Sequence, residues 1–597
     1  MPETDKAPIE APLHERIRQF RESKGLTRDD LAEMIGVTSI TLYRWETGST
    51  RPSPLAAEKL SNLGVTHIAP GDTNVLSVPR LKKIAPGTSK NLAANNLQLE
   101  SARELHAKNK QLTIVPAPFV RNGPPDQTDF HNRLIDMQAT SDLPVAEVAN
   151  RLSLVESTTQ FGASAQHQLE KPKATALSWN SNYGSHGWHR YVGRFPPHLV
   201  RSILNSFGAT SNSVVCDPFL GSGTTAVECR LLGIPFHGIE ICPLSAMISR
   251  AKSQFPVTLD HLISVATNYS NFFEDQRATF NKEFGTAFSH QQVMDKFGEQ
   301  LPPFTNVEKW FTPQALLGTS ISVAFGMTLN GITRDLFFTA LSSKMRSIGN
   351  VDVDVVRAEY SKKPRVNVDV ERLVTRSLKG MMSDIQRMQQ SHAHLIGEPS
   401  SIQVVEGSAL DVDLPKGSIS HIITSPPYGV EAISYLRTHL LSYRSLAKYL
   451  EHDPYDTRDK TIGSEYLDET HENAGSISMR ISHSFRAFFG ESHSSLDKRE
   501  AQRRLAMMQF CDDMRSIGER MAHWLKPGGK VAYIIGNKRL GQRIIPMDRI
   551  ISELFQSVGL VETGTISHKL KTNNSNSQVP WQERVIQEEH IMFFERR

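Results

Sequence analysis

An α/β fold with a mostly parallel, doubly wound sheet is predicted for residues 176–597 of this 597-residue chain, behind a small all-α unit at residues 12–66. Three observations predict it. Beyond residue 176, short apolar runs alternate with helical stretches, the pattern of a parallel sheet covered by helices. One run, Val214–Cys216, leads straight into a glycine loop and a helix. Another, Ile419–Thr424, ends on two prolines. The chain is also too long for a single core, which requires more than one domain.

Residues 12–66 place Ile17, Phe20, Leu31, Ile35, Val37, Leu42, Trp45 and Leu60 at helical spacing. Thr27 is a cap for a helix opening Arg28-Asp29-Asp30, with its acidic residues in the first turn. Gly36 supplies a tight turn, Thr38 caps the next helix through Glu46, and Gly48 and Pro52 stop it. Residues 67–175 are rich in Pro, Asn, Gln, Ser and Lys and thin in apolar pattern, which reads as a linker, ordered only in part, with one helix at Val145–Val155.

In the α/β part, strand Val214–Cys216, helix Thr225–Leu232 and strand Pro235–Ile239 come first. Residues 253–400 read as a mainly helical insertion carrying Phe272, Phe273, Trp310, Phe311, Phe337 and Phe338. Strands resume at Ile402–Val405 and Ile419–Thr424. A polar, partly helical stretch follows at 430–505, then a helix, a Pro527-Gly528-Gly529 turn and strand Lys530–Ile535. A helix around 547–557 and strand His590–Phe594 finish the sheet.

Composition excludes several classes. The net charge of +4 is mild and fits nucleic-acid binding without requiring it. Cys216, Cys229, Cys242 and Cys511 give neither a disulfide framework nor metal-ligand spacing, so no metal is expected and a reducing cytoplasm is the simplest setting. Met1 to Pro12 is polar and acidic, unlike a signal peptide, and no apolar run is long enough to span a bilayer.

The glycine loop is Asp217-Pro218-Phe219-Leu220-Gly221-Ser222-Gly223-Thr224-Thr225. Glycines let the backbone turn tightly and let a ligand approach its amides. Glu240 ends the next strand, nineteen positions after Gly221, where a carboxylate can accept both ribose hydroxyls of an adenosine. The loop alone also fits a dinucleotide site or a purely structural strand-turn-helix. No lysine follows the second glycine, as a nucleoside-triphosphate loop requires. Asp217 favours S-adenosylmethionine, whose charged amino group wants a nearby carboxylate.

The second motif is Thr424-Ser425-Pro426-Pro427-Tyr428-Gly429. Two prolines after a strand make a stiff extended turn whose carbonyls are free to accept hydrogen bonds. Tyr428 offers a ring for base stacking and Ser425 a short hydroxyl. Together they suit an exocyclic amine: acceptors orient the NH2 and the ring holds the base. By itself the segment also fits a proline-terminated strand with a surface tyrosine.

With both motifs in this order, residues 176–597 resemble the amino-methyltransferases of DNA, the N4-cytosine/N6-adenine family. The resemblance implies a Rossmann-like methyltransferase sheet with S-adenosylmethionine held by Asp217, Phe219, Gly221, Gly223, Thr224 and Glu240. It implies a catalytic Ser425, Pro426, Pro427 and Tyr428. Trp188-His189-Arg190-Tyr191 and Phe195-Pro196-Pro197 stand where such enzymes place another cofactor-contacting segment, which adds Phe195. Gly238-Ile239-Glu240-Ile241 resembles the ribose-binding turn, and Leu525-Lys526-Pro527-Gly528-Gly529 and Gly536-Asn537 a later strand. Gly407-Ser408-Ala409 departs from the family's Gly-Asp-Ala, so Ser408 takes the place of the carboxylate that contacts the cofactor's adenine. Ser425 in place of aspartate leans toward cytosine N4; adenine N6, and beyond it guanine N2 of RNA, are the alternatives. C5-cytosine chemistry needs a thiolate in a Pro-Cys context, and the chain has only Cys242-Pro243. The insertion at 253–400 and the stretch at 430–505 are the candidate target-recognition segments.

The 12–66 unit resembles the Cro/phage-repressor helix-turn-helix, carried by Leu26 to Ala32, Gly36-Val37 and Tyr43-Arg44-Trp45-Glu46-Thr47-Gly48. The resemblance puts Ser39, Thr41 and Arg44 on base edges in a major groove, Arg28 and Arg51 on phosphates, and Trp45 in the core. Double-stranded DNA is the implied partner, with a cognate restriction endonuclease and a homodimer as further expectations.

Overall fold

The computed structural model describes residues 12–35, 39–47, 52, 54–63, 65, 182–191, 193–255, 259–301, 305–352, 358–361, 365–392, 397–430, 438–451, 460–464, 473–490, 498–541, 543–569 and 586–597. The chain divides into two compact units, Met1–Asn91 and Leu92–Arg597. The linker expected at 67–175, its helix at Val145–Val155 and the turn residues Gly36, Thr38 and Gly48 lie outside the described residues.

The first unit contains α1 (Leu13–Ser23), α2 (Arg28–Ile35), α3 (Ser39–Glu46) and α4 (Pro54–Leu63). Thr27 and Asp30 cap α2 reciprocally. The Asp30 amide donates to Thr27 Oγ1 at 3.2 Å, and the Thr27 amide donates to Asp30 Oδ2 at 3.0 Å. Ile17, Leu31, Ile35, Leu42, Trp45 and Leu60 close one small core. Beside it, buried Glu46 accepts from Arg21 Nε at 2.5 Å and Arg28 Nε at 2.6 Å. Burial alone would raise this carboxyl, but the two guanidinium bonds outweigh it and hold its pKa below the usual range.

The second unit is built on one sheet: β1 (Val215–Asp217), β2 (Phe236–Glu240), β3 (Ile402–Glu406), β4 (Ile419–Thr424), β5 (Leu525–Leu540), β6 (Arg543–Ile545), β7 (Leu560–Lys569) and β8 (Ile586–Arg596). The spatial order is β3-β2-β1-β4-β5-β8-β7, with β6 folded back on β5. β1 to β5 pair in parallel; β8 runs antiparallel between β5 and β7. Side chains alternate faces with period two. On β5, Val531, Tyr533 and Ile535 enter one core while Ala532 and Ile534 enter the other. The first face is covered by the helices Lys498–Trp524 (α13) and Met547–Gln556 (α14). There Phe555 meets Tyr533 edge-on at 4.9 Å, a contact worth about 0.5–1.5 kcal/mol beyond area. The opposite face is covered by α5 (Pro197–Ser206) and α6 (Thr224–Leu231).

After β2 and α7 (Pro243–Ser253), the insertion forms α8 (Asp260–Phe284), α9 (His290–Phe297), α10 (Pro313–Thr328), α11 (Gly331–Ile348) and α12 (Val370–His392). Their apolar faces close a third core, which also takes Val227 and Leu231 of α6 and Leu244, Met247, Ile248 and Ala251 of α7. The Pro527-Gly528-Gly529 turn sits inside β5. Ile419 pairs with Leu525 and His421 with Lys530, so the turn is a wide bulge facing Ser420. The described parts of 430–505 are short helices, Leu440–Ser445, Ala447–Leu450, Ser476–Ile481 and His483–Phe489, before α13 begins. Among the described residues no helix is long and apolar enough to cross a membrane.

Candidate active site

In this strand order the chain winds from β1 through β2 to β3 on one side and from β4 to β5 on the other, so the winding of the parallel strands reverses between β1 and β4. Such a switch point opens a crevice at the carboxyl ends of the strands. Asp217 ends β1, Glu240 ends β2 and Thr424 ends β4, all at that rim. A cleft of about 1180 Å³ lies there. Its walls include Asp217 to Ser222, Thr224, Glu240, Ser408, Ser425, Pro427 and Phe195.

The glycine loop is shaped by its neighbours. Gly223 has φ of 83°, and a Cβ there would come within 3.0 Å of the Ser249 backbone, so α6 and α7 approach closely only because the position is glycine. Ser249 Oγ donates to the Gly221 carbonyl at 2.8 Å. The Gly221 amide donates to Glu240 Oε2 at 2.6 Å, and the Cys242 amide to Oε1 at 2.9 Å. Glu240 thus ties the end of β2 to the loop and keeps lone pairs for a ligand. Burial pushes its pKa up to about 7 despite these amides.

Asp217 is buried. Oδ1 accepts from the Phe219 amide at 3.1 Å and from Thr424 Oγ1 at 2.7 Å, and Oδ2 accepts from Thr225 Oγ1 at 2.7 Å. Burial raises its pKa to about 6, against these three hydrogen bonds. The groups acting most strongly on the two carboxylates are hydroxyls, amides and other carboxylates, not cations. Arg194 and Lys460 also line the cleft, but neither is among the groups that set these two carboxyls, so a ligand that brings positive charge to Asp217 and Glu240 would favour their ionised forms. A sulfonium with an ammonium group fits that donor set.

The second motif follows β4 directly. Pro426 is buried, and Ser425 and Pro427 line the cleft. Ser425 Oγ donates to Tyr428 Oη at 3.3 Å, and Tyr428 Oη donates to Glu589 Oε1 on β8 at 3.2 Å. Tyr428 is half-buried against both sheet cores and lies beside this cleft, not among its lining residues. Gly429 then turns with φ of 86°, where a Cβ would meet Met507 Sδ of α13 at 2.5 Å.

The segment before α5 is pinned from beneath. Buried Glu228 of α6 accepts from Arg201 Nε and Tyr183 Oη, both at 2.5 Å, and contacts His186 Nε2 at 2.8 Å. Burial lowers the His186 pKa to about 4, so the neutral ring donates. Phe195 and Tyr191 are delivered to the cleft wall by this anchor.

Ser408 lines the cleft, and its Oγ accepts from the Leu410 amide at 3.1 Å, leaving its proton for an acceptor in the cleft. Phe219 and Thr224 also line it. Thr225 and Thr424, which sequence reasoning does not single out, carry hydroxyls adjacent to Thr224 and Ser425, and both bond Asp217. His439, Tyr443 and Lys460 complete the wall with no local signal at all. Tyr443 is in hydrogen-bond contact with Cys242.

In the first unit, Arg28 lies between Glu46 and the Tyr43 ring, its guanidinium carbon 5.1 Å from the ring centre. Ser39, Thr41 and Arg44 lie on α3, and their side chains are outside those described, as is Arg51.

Comparison with known proteins bears on both units. The helix-turn-helix family profile matches residues 17–63, and the DNA methylase profile matches residues 140–246. The type II methyltransferase M.BsoBI of Geobacillus stearothermophilus is 23% identical over 486 residues, 74% of this chain and 90% of that protein. The type II methyltransferase M.MvaI of Kocuria varians is 21% identical over 397 residues, 64% of this chain and 83% of that one. An HTH-type transcriptional regulator of Methanothermobacter thermautotrophicus is 42% identical over 53 residues, 9% of this chain and 77% of the regulator.

Proposed function

We propose that this chain, a DNA amino-methyltransferase that carries its own helix-turn-helix, methylates cytosine N4 at a specific sequence of duplex DNA. One observation carries the reading: the Thr424 hydroxyl on Asp217, 2.7 Å away, holds the amine motif against the donor loop. The DNA methylase family implies S-adenosylmethionine, which supplies a methyl group already activated on a sulfonium. Glu240 would take its ribose hydroxyls, Asp217 its ammonium end, and Ser408 its adenine edge.

The remaining work is positioning. The Ser425 hydroxyl and the carbonyls of the Pro426-Pro427 turn orient the base amine, and the Tyr428 ring holds the base plane. The amine nitrogen forms a bond to the methyl carbon as the sulfur–carbon bond breaks, and the extra proton on nitrogen leaves to an acceptor or water. No covalent enzyme intermediate is needed, so in-line placement supplies the catalysis. Ser425 brings a hydroxyl where a carboxylate would stand in an Asp-Pro-Pro-Tyr site, and this supports cytosine N4 as the target.

The helix-turn-helix would read a separate operator through Ser39, Thr41 and Arg44, with Arg28 on phosphate, as a dimer on paired half-sites. Similarity to type II methyltransferases supports a cognate restriction endonuclease as functional partner. The test is methyl transfer from labelled S-adenosylmethionine to duplex DNA, followed by mass spectrometry of the digested bases. N4-methylcytosine is the expected product. N6-methyladenine would replace the base assignment, and no transfer to DNA would remove the reading.

A further inference from the structure

Beside the donor cleft lies a second hollow, open in part to solvent, with about 790 Å³ of space. It is walled by the His189–Arg190 corner, the C-terminal half of α11 and residues 438–442. Arg190 and Arg346 bring two positive charges to it, Ser343 and Ser347 bring hydroxyls, and no carboxylate is among its lining residues as described. His439 lines this cavity and the donor cleft alike. Its ring stacks on Tyr191 at 5.1 Å, is only 8% exposed, and leaves Nε2 without a hydrogen-bond partner. A buried imidazole nitrogen with no partner is costly unless a ligand satisfies it.

The end of a helix ordinarily disfavours anions because its last carbonyls are bare. Here Arg365 Nη1 donates to the carbonyls of Arg346 at 3.0 Å and Ser347 at 2.6 Å. Arg346 Nη2 in turn holds the Asp352 carbonyl at 2.7 Å. The C-terminal turn of α11 therefore offers guanidinium groups where carbonyl oxygens would stand. The His439 ring is kept neutral, with its pKa down at about 4, by burial first and then by Arg346, Lys252 and Arg190.

We propose that this cavity holds a phosphodiester of the substrate DNA next to the nucleotide whose base enters the amine pocket, with Arg190 and Arg346 supplying charge and His439 Nε2 a hydrogen bond. The proposal rests on the reading of the cleft as a DNA amino-methyltransferase site. A nucleotide drawn out of the duplex brings its flanking phosphates to the pocket mouth, and phosphate contacts set register without reading sequence. Ser425, Pro427 and His439 line one cleft and His439 also walls this cavity, so a phosphate flanking the nucleotide in the amine pocket would lie within its reach.

The test uses the full chain and a duplex oligonucleotide carrying its own methylation sequence. Arg190→Gln, at an exposed position, and Arg346→Gln should each weaken duplex binding about tenfold, as expected for loss of a charged hydrogen bond. Each should also reduce the slope of log affinity against log salt by about 0.9, one phosphate contact. Arg190→Lys should keep the wild-type salt slope, and S-adenosylhomocysteine affinity should stay within about twofold in all variants. Unchanged salt slopes in both glutamine variants, with wild-type methylation intact, would overturn the proposal. Loss of S-adenosylhomocysteine binding instead would assign the cavity to the donor. A wild-type chain that transfers no methyl to DNA would remove the underlying reading and this one with it.

Discussion

Thr424 and Asp217 lie 207 positions apart in the chain and are joined by a 2.7 Å hydrogen bond across the switch point of the sheet. One carboxylate therefore binds the glycine loop through Phe219 and Thr225 and the Ser-Pro-Pro-Tyr segment through Thr424. Thr424→Val keeps the shape and removes the hydroxyl. It should weaken both turnover and cofactor binding by about 1.5–3 kcal/mol each, the range for a bond to a charged group. Parallel measurement of kcat and cofactor Kd checks this; a loss in one alone would show the two motifs to be independent.

Cofactor affinity should rise with pH between about 5.5 and 8. The Asp217 and Glu240 carboxyls sit at about 6 and about 7, above their ordinary values. A cationic ligand prefers them ionised. The sign for the free protein is opposite: the folded state holds these protons more tightly, so their contribution to stability is lost as pH rises through 6 to 7. Glu240→Gln should weaken S-adenosylmethionine by about 1–3 kcal/mol and remove the upper part of the pH dependence. Calorimetry at several pH values decides, and affinity flat across that window would count against the cationic pairing.

Tyr428→Ala should reduce methyl transfer strongly, with a loss of about 1–3 kcal/mol in base binding, while leaving cofactor affinity near wild type. Tyr428 is outside the lining of the donor cleft, which is why the two readouts should separate. Tritiated methyl incorporation beside a cofactor titration measures both. A variant with equal activity would take the ring out of the mechanism.

Lys252→Met should stabilise the enzyme. The Lys252 ammonium is buried with no hydrogen-bond partner, and burial lowers its pKa to about 7. The folded state binds this proton less well than the unfolded chain, so the cost is complete below pH 7 and fades as pH rises toward 10.5. The gain should be about 1–4 kcal/mol at pH 6.5 and smaller at pH 9.5. Urea midpoints of both proteins at the two pH values test it. A gain that does not shrink with pH would point to packing.

A chain beginning at Leu92, where the second compact unit starts, should keep the methylated sequence and lose operator binding. The division follows from two compact units, each with a core of its own. Methylome sequencing of cells expressing either form provides the comparison. A changed methylation site would place the helix-turn-helix within target recognition.

The strand-and-turn form of the glycine loop and of the Ser425-Pro426-Pro427-Tyr428 segment was legible because each is local: a strand, a turn forced by Gly or Pro, and a fixed set of side chains. β7 was not. Its register shifts between Glu562 and Gly564, which breaks the alternation by which a half-buried strand is recognised. The same holds for Pro527-Gly528-Gly529, a turn by composition that the sheet absorbs as a bulge within β5. Tyr443 on the short helix Leu440–Ser445, and His439 just before it, reach the cleft some two hundred residues beyond the loop they face. Only the packing of the insertion brings them there, and no periodicity reports it.

The insertion has a bearing on how this enzyme can be shortened or recombined. Because α6 and α7 bury Val227, Leu231, Leu244, Met247 and Ile248 against α8 to α12, the helices that cradle the donor loop would be left with bare apolar flanks if the insertion were excised. A minimal catalytic fragment cannot be cut from this gene by removing residues 256–398. Changes on the outward faces of those helices and in the turns between them should be tolerated far better than loss of the bundle or its exchange as a detachable cassette.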